Sequence, residues 1–133
     1  MVSPTGLGIR GQDKWGNGKY GAPRGGKPHK GSDFICVPGQ EIMSPINGVF
    51  VRIKIPYAEP VKGVFFSGVL LRGNGYDVTM FYFEPLKAKV RMPVKKGEVI
   101  GIAQDLRIKY DEITPHIHLQ IDSIDPELFI NLP

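Results

Sequence analysis

All three histidines of this sequence lie in two short segments together with other polar residues. The first segment has His29 followed by Asp33, an H-x-x-x-D pattern. The second has His116 and His118 as an H-x-H pattern, with Gln120 two residues further on. Imidazole nitrogens and carboxylate oxygens are ligands of Zn²⁺, and three such ligands leave a fourth position open for catalysis. Because short patterns also recur by chance, isolated surface histidines are the alternative interpretation.

The segment around His118 alternates like an amphipathic strand. Successive side chains of a strand point to opposite faces, so His116, His118 and Gln120 share one face. The opposite face is apolar and predicts contact with a core: Ile117, Leu119 and Ile121. Two imidazoles cannot both pack against carbon without leaving ring nitrogens unsatisfied. They therefore require solvent, hydrogen-bond partners or a metal ion.

The elements that must position these residues are predicted to be short β-strands. The sequence has 17 glycines and 12 prolines, which favour turns and are costly inside helices. Runs of strand-forming residues between turn signals predict strands over 32–37, 41–44, 48–55, 64–72, 77–83, 89–94, 99–103 and 116–121. Short helical character is confined to 106–113 and 126–129. The predicted fold class is all-β: a small antiparallel sandwich or barrel-like core with a Gly-rich N-terminal loop and little helix.

Length and composition indicate one domain, since 133 residues of which 41% are hydrophobic can bury a continuous core. We expect residues 1–19 to form an N-terminal loop or arm and residues 20–133 to form the domain. Cys36, the single cysteine, cannot form an internal disulfide. Its apolar neighbours predict a buried, inert thiol.

Charge and hydropathy exclude several classes of function. The net charge of +4 is mildly basic and does not indicate nucleic-acid binding, and we expect no nucleic-acid partner. No apolar run is long enough for a membrane-spanning helix. The N-terminal residues do not follow the pattern of a signal peptide.

Stretches along most of the sequence resemble the LytM/lysostaphin-type zinc endopeptidases, which cleave peptide cross-links of bacterial cell walls. The matching stretches, in family order, are 20–24, 29–34, 38–40, 44–49, 94–101 and 116–118. The resemblance implies a small antiparallel β core, the duplicated hybrid motif fold, with a zinc groove across one sheet. It also implies a cell-wall peptide or glycan as partner, and a location in the cell envelope, in secretions or on a phage.

The resemblance further implies roles for individual residues. One Zn²⁺ ion would be held by His29, Asp33 and His118. His116 would act as the general base beside the metal-bound water. Further candidates for orienting a ligand or contacting substrate are Gln120, which shares the histidine face, Tyr20 and Arg24.

One position departs from the family pattern. Active members carry a further histidine on a central strand, in a Tyr-x-His-Leu stretch, whereas residues 79–86 contain no histidine here. Tyr82 is the nearest replacement, and its hydroxyl can donate a hydrogen bond to a developing oxyanion. The leading prediction is a zinc metalloendopeptidase with His116 and Tyr82 as catalytic residues.

The same replacement resembles the leukocyte cell-derived chemotaxins, which have a Met-Phe-Tyr stretch like residues 80–82. That resemblance implies a secreted, zinc-binding relative without peptidase activity. The alternative function is therefore a domain that binds a peptide, a glycan or a protein partner and cleaves nothing; a metal-free structural domain is a third possibility. Chemotaxins are disulfide-bonded, and Cys36 alone cannot reproduce their disulfides, which favours a bacterial or phage relative.

Overall fold

A computed structural model describes residues 1–24, 26–122 and 124–129. The strands in chain order are β1 (Gln12–Asp13), β2 (Gly16–Asn17), β3 (Pro23–Arg24), β4 (Lys27–Pro28), β5 (Ser32–Ile35), β6 (Glu41–Met43), β7 (Gly48–Lys54), β8 (Gly68–Gly73), β9 (Tyr76–Phe81), β10 (Phe83–Pro85), β11 (Pro93–Val94), β12 (Val99–Ala103) and β13 (His116–Ile121). Short 3₁₀ helices lie at Lys87–Lys89, Leu106–Ile108 and Pro126–Phe129. The all-β prediction is confirmed.

The histidine-bearing strand lies inside the larger of two antiparallel sheets. That sheet has the strand order β11-β7-β8-β9-β13-β5, and the smaller one has the order β10-β12-β6. The pairs β1–β2 and β3–β4 form separate hairpins in the N-terminal part of the chain. Because β13 is hydrogen-bonded to β9 on one side and β5 on the other, its side chains have a fixed register against both neighbours.

One hydrophobic core joins the two sheets. Its large, fully buried side chains include Phe34, Phe50, Leu71 and Met80 from the larger sheet and Ile42, Phe83 and Ile100 from the smaller one. The predicted inward face of β13 is confirmed, because Ile117 and Leu119 are 0% exposed and Ile121 is 3% exposed. Cys36 is buried in the same core, and burial raises the pKa of its thiol to about 12.

A tight hairpin turn sets the register of β9 against β8. Gly73 pairs with Tyr76, so only Asn74 and Gly75 form the loop. Both loop residues have positive φ, +52° and +82°, which is the backbone of a type I′ turn and explains the Asn-Gly sequence. The ladder that starts here ends at Phe81, the last residue of β9.

The predicted strand over residues 89–94 is wrong for its first four residues. Lys89 ends a 3₁₀ helix, and only Pro93–Val94 pairs with β7. Arg91 has a φ of +67°, a left-handed conformation that interrupts an extended strand. Similarly, the predicted helical stretch over 106–113 is helical only at Leu106–Ile108.

The N-terminal residues are joined to the rest of the chain by backbone hydrogen bonds, including Val2 N–H to Pro45 O at 3.0 Å and Arg10 N–H to Asp33 O at 2.7 Å. The predicted boundary between residues 19 and 20 stays a prediction, and residues 25, 123 and 130–133 of the predicted domain lie outside the described residues. Within the described part of the chain, helices are too short and too polar to cross a membrane.

Candidate metal centre

Neighbouring strands bring Asp33 and His118 side by side. β5 pairs with β13 so that Asp33 lies directly opposite His118. Directly opposed residues of an antiparallel pair project from the same face, and Asp33 Oδ1 lies 3.1 Å from His118 Nδ1. On the other side of β13, Phe81 is opposite His118 and its ring stacks against the imidazole, with centroids 6.2 Å apart.

His29 reaches the same place from the loop before β5. Its backbone N–H donates to Ala22 O at 2.7 Å and its carbonyl accepts from Gly21 N–H at 2.9 Å, which continues the β3–β4 hairpin. The imidazole is buried, and its Nε2 lies 3.2 Å from His118 Nδ1 and 3.3 Å from Asp33 Oδ1. The three side chains predicted as metal ligands are therefore close together.

The outer nitrogens of both imidazoles are engaged in hydrogen bonds. His29 Nδ1 donates to the Lys19 carbonyl at 3.0 Å, and His118 Nε2 donates to Gln120 Oε1 at 3.2 Å. A neutral imidazole has one N–H and one lone pair, so His29 Nε2 and His118 Nδ1 are left as acceptors. Together with Asp33 Oδ1, three acceptor atoms face one another. Such atoms repel unless a cation or proton lies between them, and this pattern is typical of metal-binding histidines.

The spacing of the three acceptor atoms fits zinc. Ligands placed tetrahedrally at about 2.0 Å from Zn²⁺ are about 3.3 Å from one another. The sides of the triangle formed by His29 Nε2, Asp33 Oδ1 and His118 Nδ1 are 3.1, 3.2 and 3.3 Å. All three residues line one cleft, so a fourth ligand can come from solvent or substrate.

A buried arginine holds the other oxygen of Asp33. Arg10 and Asp33 are each 2% exposed, and Arg10 Nη2 and Nε lie 3.1 and 3.3 Å from Asp33 Oδ2. This contact leaves Oδ1 for the histidines. Without a cation, a proton on His118 or His29 lies between the three acceptor atoms. Burial opposes ionisation of Asp33, but hydrogen bonds from these protonated rings hold the pKa of the carboxyl well below its ordinary value.

His116 lies beside the triangle without belonging to it. Its Nδ1 donates to the Thr114 carbonyl at 2.8 Å, and its Nε2 lies 3.5 Å from Asp33 Oδ2. Burial lowers the pKa of His116, and the Asp33 charge only partly offsets this effect. The ring is neutral at pH 7 with the Nε2 lone pair toward the cluster, which is the state that a proton acceptor requires.

Tyr82 also lies at the site, between β9 and β10. Its ring meets the His116 ring edge to face, with centroids 5.5 Å apart. The backbone φ of +83° is strained for a bulky residue. Its N–H donates to the Ser67 carbonyl at 2.8 Å and its carbonyl accepts from the Gln104 N–H at 3.0 Å. These bonds hold Tyr82 in the strained conformation beside His116.

Two cavities flank His29. The first, of about 460 Å³, contains the triangle of acceptor atoms and is bordered by Arg24, Lys27 and Lys30. Arg24 Nη2 lies 3.7 Å from Asp33 Oδ2.

The second cavity, of about 590 Å³, is lined by Tyr20, Gln120 and Asp122 as well as His29. Gln120 reaches His118 from this side, at the 3.2 Å contact described above. The Tyr20 backbone N–H donates to Glu127 Oε2 at 3.0 Å. Arg24 and Tyr20, both predicted as substrate contacts, therefore lie in different cavities.

Sequence reasoning missed Arg10 and Tyr110 at this site. Arg10 stands alone in a glycine-rich stretch, where no periodicity indicates burial. The structure places it through its neighbour Ile9, which forms a β-bridge with Phe34. Tyr110 lies among charged residues, Arg107, Lys109, Asp111 and Glu112, which do not indicate a buried contact. Its hydroxyl is 2.8 Å from that of Tyr57.

Gly31 provides the space in which His118 lies. A Cβ at Gly31 would meet the Leu119 carbonyl oxygen and lie 2.7 Å from His118 Cε1. We expect Gly31→Ala to displace the imidazole and lower zinc affinity by roughly tenfold or more, as for other residues that orient a ligand. Competition with a chromogenic chelator measures this affinity.

The matched control is Gly11→Ala, because a Cβ at Gly11 has no atom within 4 Å. Circular dichroism checks that both variants stay folded. Equal zinc affinities of the Gly31 and Gly11 variants would show that the imidazole position does not depend on this contact.

Two characterised proteins have extensive sequence similarity to the chain. Leukocyte cell-derived chemotaxin-2 of Mus musculus is 35% identical over 123 residues, which cover 92% of this chain and 79% of that protein. Myeloid protein 1 of Gallus gallus is 35% identical over 129 residues, covering 89% of this chain and 36% of that protein. No protein-family model matches the chain.

The fold is similar to solved structures of two other proteins. The catalytic domain of the antimicrobial peptidase lysostaphin from Staphylococcus simulans has a TM-score of 0.61 and 24% identity, covering 84% of this chain and 87% of that one. LytU has a TM-score of 0.62 and 24% identity, covering 92% of this chain and 84% of that one. At these identities the likeness establishes the fold, which is the one that the sequence resemblance implied.

Proposed function

Because the chain belongs to the leukocyte cell-derived chemotaxin family and shares the lysostaphin fold, we propose that it binds one Zn²⁺ ion and hydrolyses peptide bonds. His29, Asp33 and His118 would hold the ion. The observation that carries this proposal is their triangle of acceptor atoms, with sides of 3.1 to 3.3 Å. Zinc bound there would act as a Lewis acid and activate water for attack on a peptide carbonyl.

His116 would be the proton acceptor of this reaction. Its Nδ1–H is bound to the Thr114 carbonyl, which keeps Nε2 as the basic atom. The proton of the attacking water would pass to Nε2 and from there to the leaving amine. The buried, neutral ring supports this role because it is ready to accept a proton near neutral pH.

Tyr82 would stabilise the oxyanion that develops on the substrate carbonyl. Its hydroxyl can donate a hydrogen bond, and it lines the same cleft as the metal-binding triangle. A phenol does not supply the positive charge of an imidazolium. We therefore expect slower turnover than in relatives with histidine at this position.

The proposed substrates are peptide cross-links of the bacterial cell wall. The likeness to lysostaphin, an antimicrobial peptidase, supports this class. The basic residues at the cleft, Arg24, Lys27 and Lys30, favour peptides with acidic groups. Such a substrate implies work in the cell envelope, in secretions or on a phage.

Zinc-loaded protein is expected to release soluble fragments from purified peptidoglycan. His116→Ala should lower the rate by about 10²-fold or more, since that is the contribution of a general base, while the variant still binds zinc. Release is followed by the appearance of free amino groups. If sacculi with several cross-link types yield no fragments, the peptidase proposal fails.

A second candidate function is a zinc-binding domain that binds a peptide, glycan or protein partner without cleaving it. The specific observation in its favour is Tyr82, which stands where active peptidases have histidine, combined with 35% identity to a chemotaxin. This function predicts ligand binding that survives His116→Ala and no fragment release by the wild type.

A further inference from the structure

The geometry points to Tyr57 and Tyr110 as positioning residues that aim the hydroxyl proton of Tyr82 at an oxyanion bound in the cleft. This inference rests on the proposed function, because the oxyanion would lie beside the metal-binding triangle. The three hydroxyls form a row: Tyr82 Oη is 3.2 Å from Tyr57 Oη, which is 2.8 Å from Tyr110 Oη.

The number of protons in this row leaves one for a partner outside it. Three hydroxyls have three protons, and the two bonds between them use two. Tyr57, in the middle, donates to one neighbour and accepts from the other. The remaining proton is therefore at one end of the row, on Tyr82 or on Tyr110.

The surrounding charges favour the arrangement in which the remaining proton is on Tyr82. The Tyr82 ring contacts the His116 ring, and His116 Nε2 is 3.5 Å from Asp33 Oδ2, so Tyr82 is the end of the row beside this carboxylate. The Asp33 charge acts on Tyr82 and Tyr57, with the Arg10 charge opposing it at Tyr82. The Lys109 ammonium lies over the Tyr57 and Tyr110 rings, 4.3 and 5.4 Å from their centroids, and has no such contact with Tyr82 among the described residues. Protons are attracted toward the carboxylate and repelled by the ammonium. The row therefore runs from Tyr110 through Tyr57 to Tyr82, whose own proton is directed into the cleft.

The packing makes this row rigid. The Phe66 ring contacts Tyr57 and Tyr82 edge to face, with centroids 6.2 and 6.3 Å away. Backbone bonds hold Tyr82 at its positive φ, and residues held in such strained conformations cluster at functional sites. A hydroxyl that accepts a hydrogen bond also becomes a stronger donor, so Tyr57 would strengthen the bond that Tyr82 donates.

Inorganic phosphate, a tetrahedral oxyanion, is the probe for this arrangement. Calorimetric titration of zinc-loaded protein should show that Tyr82→Phe lowers phosphate affinity by roughly tenfold or more, as expected for a lost hydrogen bond to a charged group. Tyr57→Phe retains the ring and should lower the affinity by about threefold. The double variant Tyr57→Phe/Tyr82→Phe should bind phosphate as weakly as Tyr82→Phe alone, because the hydroxyl that Tyr57 orients is then absent.

Tyr76→Phe is the control, since Tyr76 is 38% exposed and lines a separate pocket. If Tyr57→Phe lowers affinity equally with and without the Tyr82 hydroxyl, Tyr57 has a structural role only and the inference is wrong. The inference alone also fails if zinc-loaded wild type binds no phosphate or if Tyr82→Phe has no effect. Wild type that takes up no zinc instead contradicts the proposed function, and the inference with it.

Discussion

Replacing His29 or His118 by alanine is expected to abolish one-to-one zinc binding, whereas His116→Ala is expected to leave it nearly intact. His29 Nε2 and His118 Nδ1 are two corners of the acceptor triangle, 3.2 Å apart. His116 Nε2 instead lies 3.5 Å from Asp33 Oδ2, the oxygen that faces Arg10. The three variants make the same chemical change on neighbouring rings, two of them buried and that of His118 13% exposed, so a general loss of folding would affect all of them.

The two ligand variants should lose at least about 100-fold in zinc affinity, more than the roughly 10–100-fold expected for a residue that only orients a ligand. Gln120→Ala should fall in that second range, because Gln120 Oε1 holds the outer nitrogen of His118. Elemental analysis after dialysis against one equivalent of zinc gives the stoichiometry, and chelator competition gives the affinity. Full zinc content in His29→Ala would refute the proposed centre, and loss in His116→Ala would make His116 a ligand.

The sequence predicts the local part of this centre well. Polar and apolar residues alternate over 116–121, so a strand there has one polar and one apolar face in any fold. The burial of Ile117 and Leu119 confirms the apolar face. The predicted ends of strands were less accurate where the backbone conformation of a single residue ends the strand. The left-handed backbone of Arg91 ends the extended run that the residue types of 89–94 favour, and that conformation depends on tertiary contacts.

Long-range pairings were accessible only through the family resemblance. The opposition of Asp33 and His118 depends on the register between strands 85 residues apart in sequence. Nothing in the composition near Arg10 indicates that Asp33 is its partner, since Asp13 is also within reach of its guanidinium at 2.9 Å. The tyrosine row likewise joins segments that have no common pattern. Such pairings follow from the fold, so residue types and spacing alone do not reveal them.

Arg10→Met is expected to lower the free energy of unfolding of the metal-free protein by about 3–5 kcal/mol, because the buried Asp33 carboxylate loses its hydrogen-bonded guanidinium and keeps only the more distant Arg24, 3.7 Å from Oδ2. Methionine retains much of the apolar stem, so packing changes little. The matched control is Arg72→Met. Arg72 forms a 2.7 Å ion pair with Asp77, but the two side chains are 58% and 38% exposed, and such surface pairs contribute at most about 1 kcal/mol.

Bound zinc should reduce the loss of unfolding free energy that Arg10→Met causes. This comparison distinguishes a role of Arg10 in charge compensation from a role in packing. Arg10 binds Asp33 Oδ2 while Oδ1 faces the histidines, so an ion held by Oδ1 would supply positive charge to the same carboxylate. Urea unfolding with a chelator and with saturating zinc should therefore give a smaller Arg10→Met loss in zinc, whereas the Arg72→Met loss should be the same in both. An equal Arg10→Met loss in the two conditions would mean that Arg10 stabilises the fold by packing and by its bond to the Gly16 carbonyl. It would also mean that the guanidinium and the proposed ion do not act on one carboxylate.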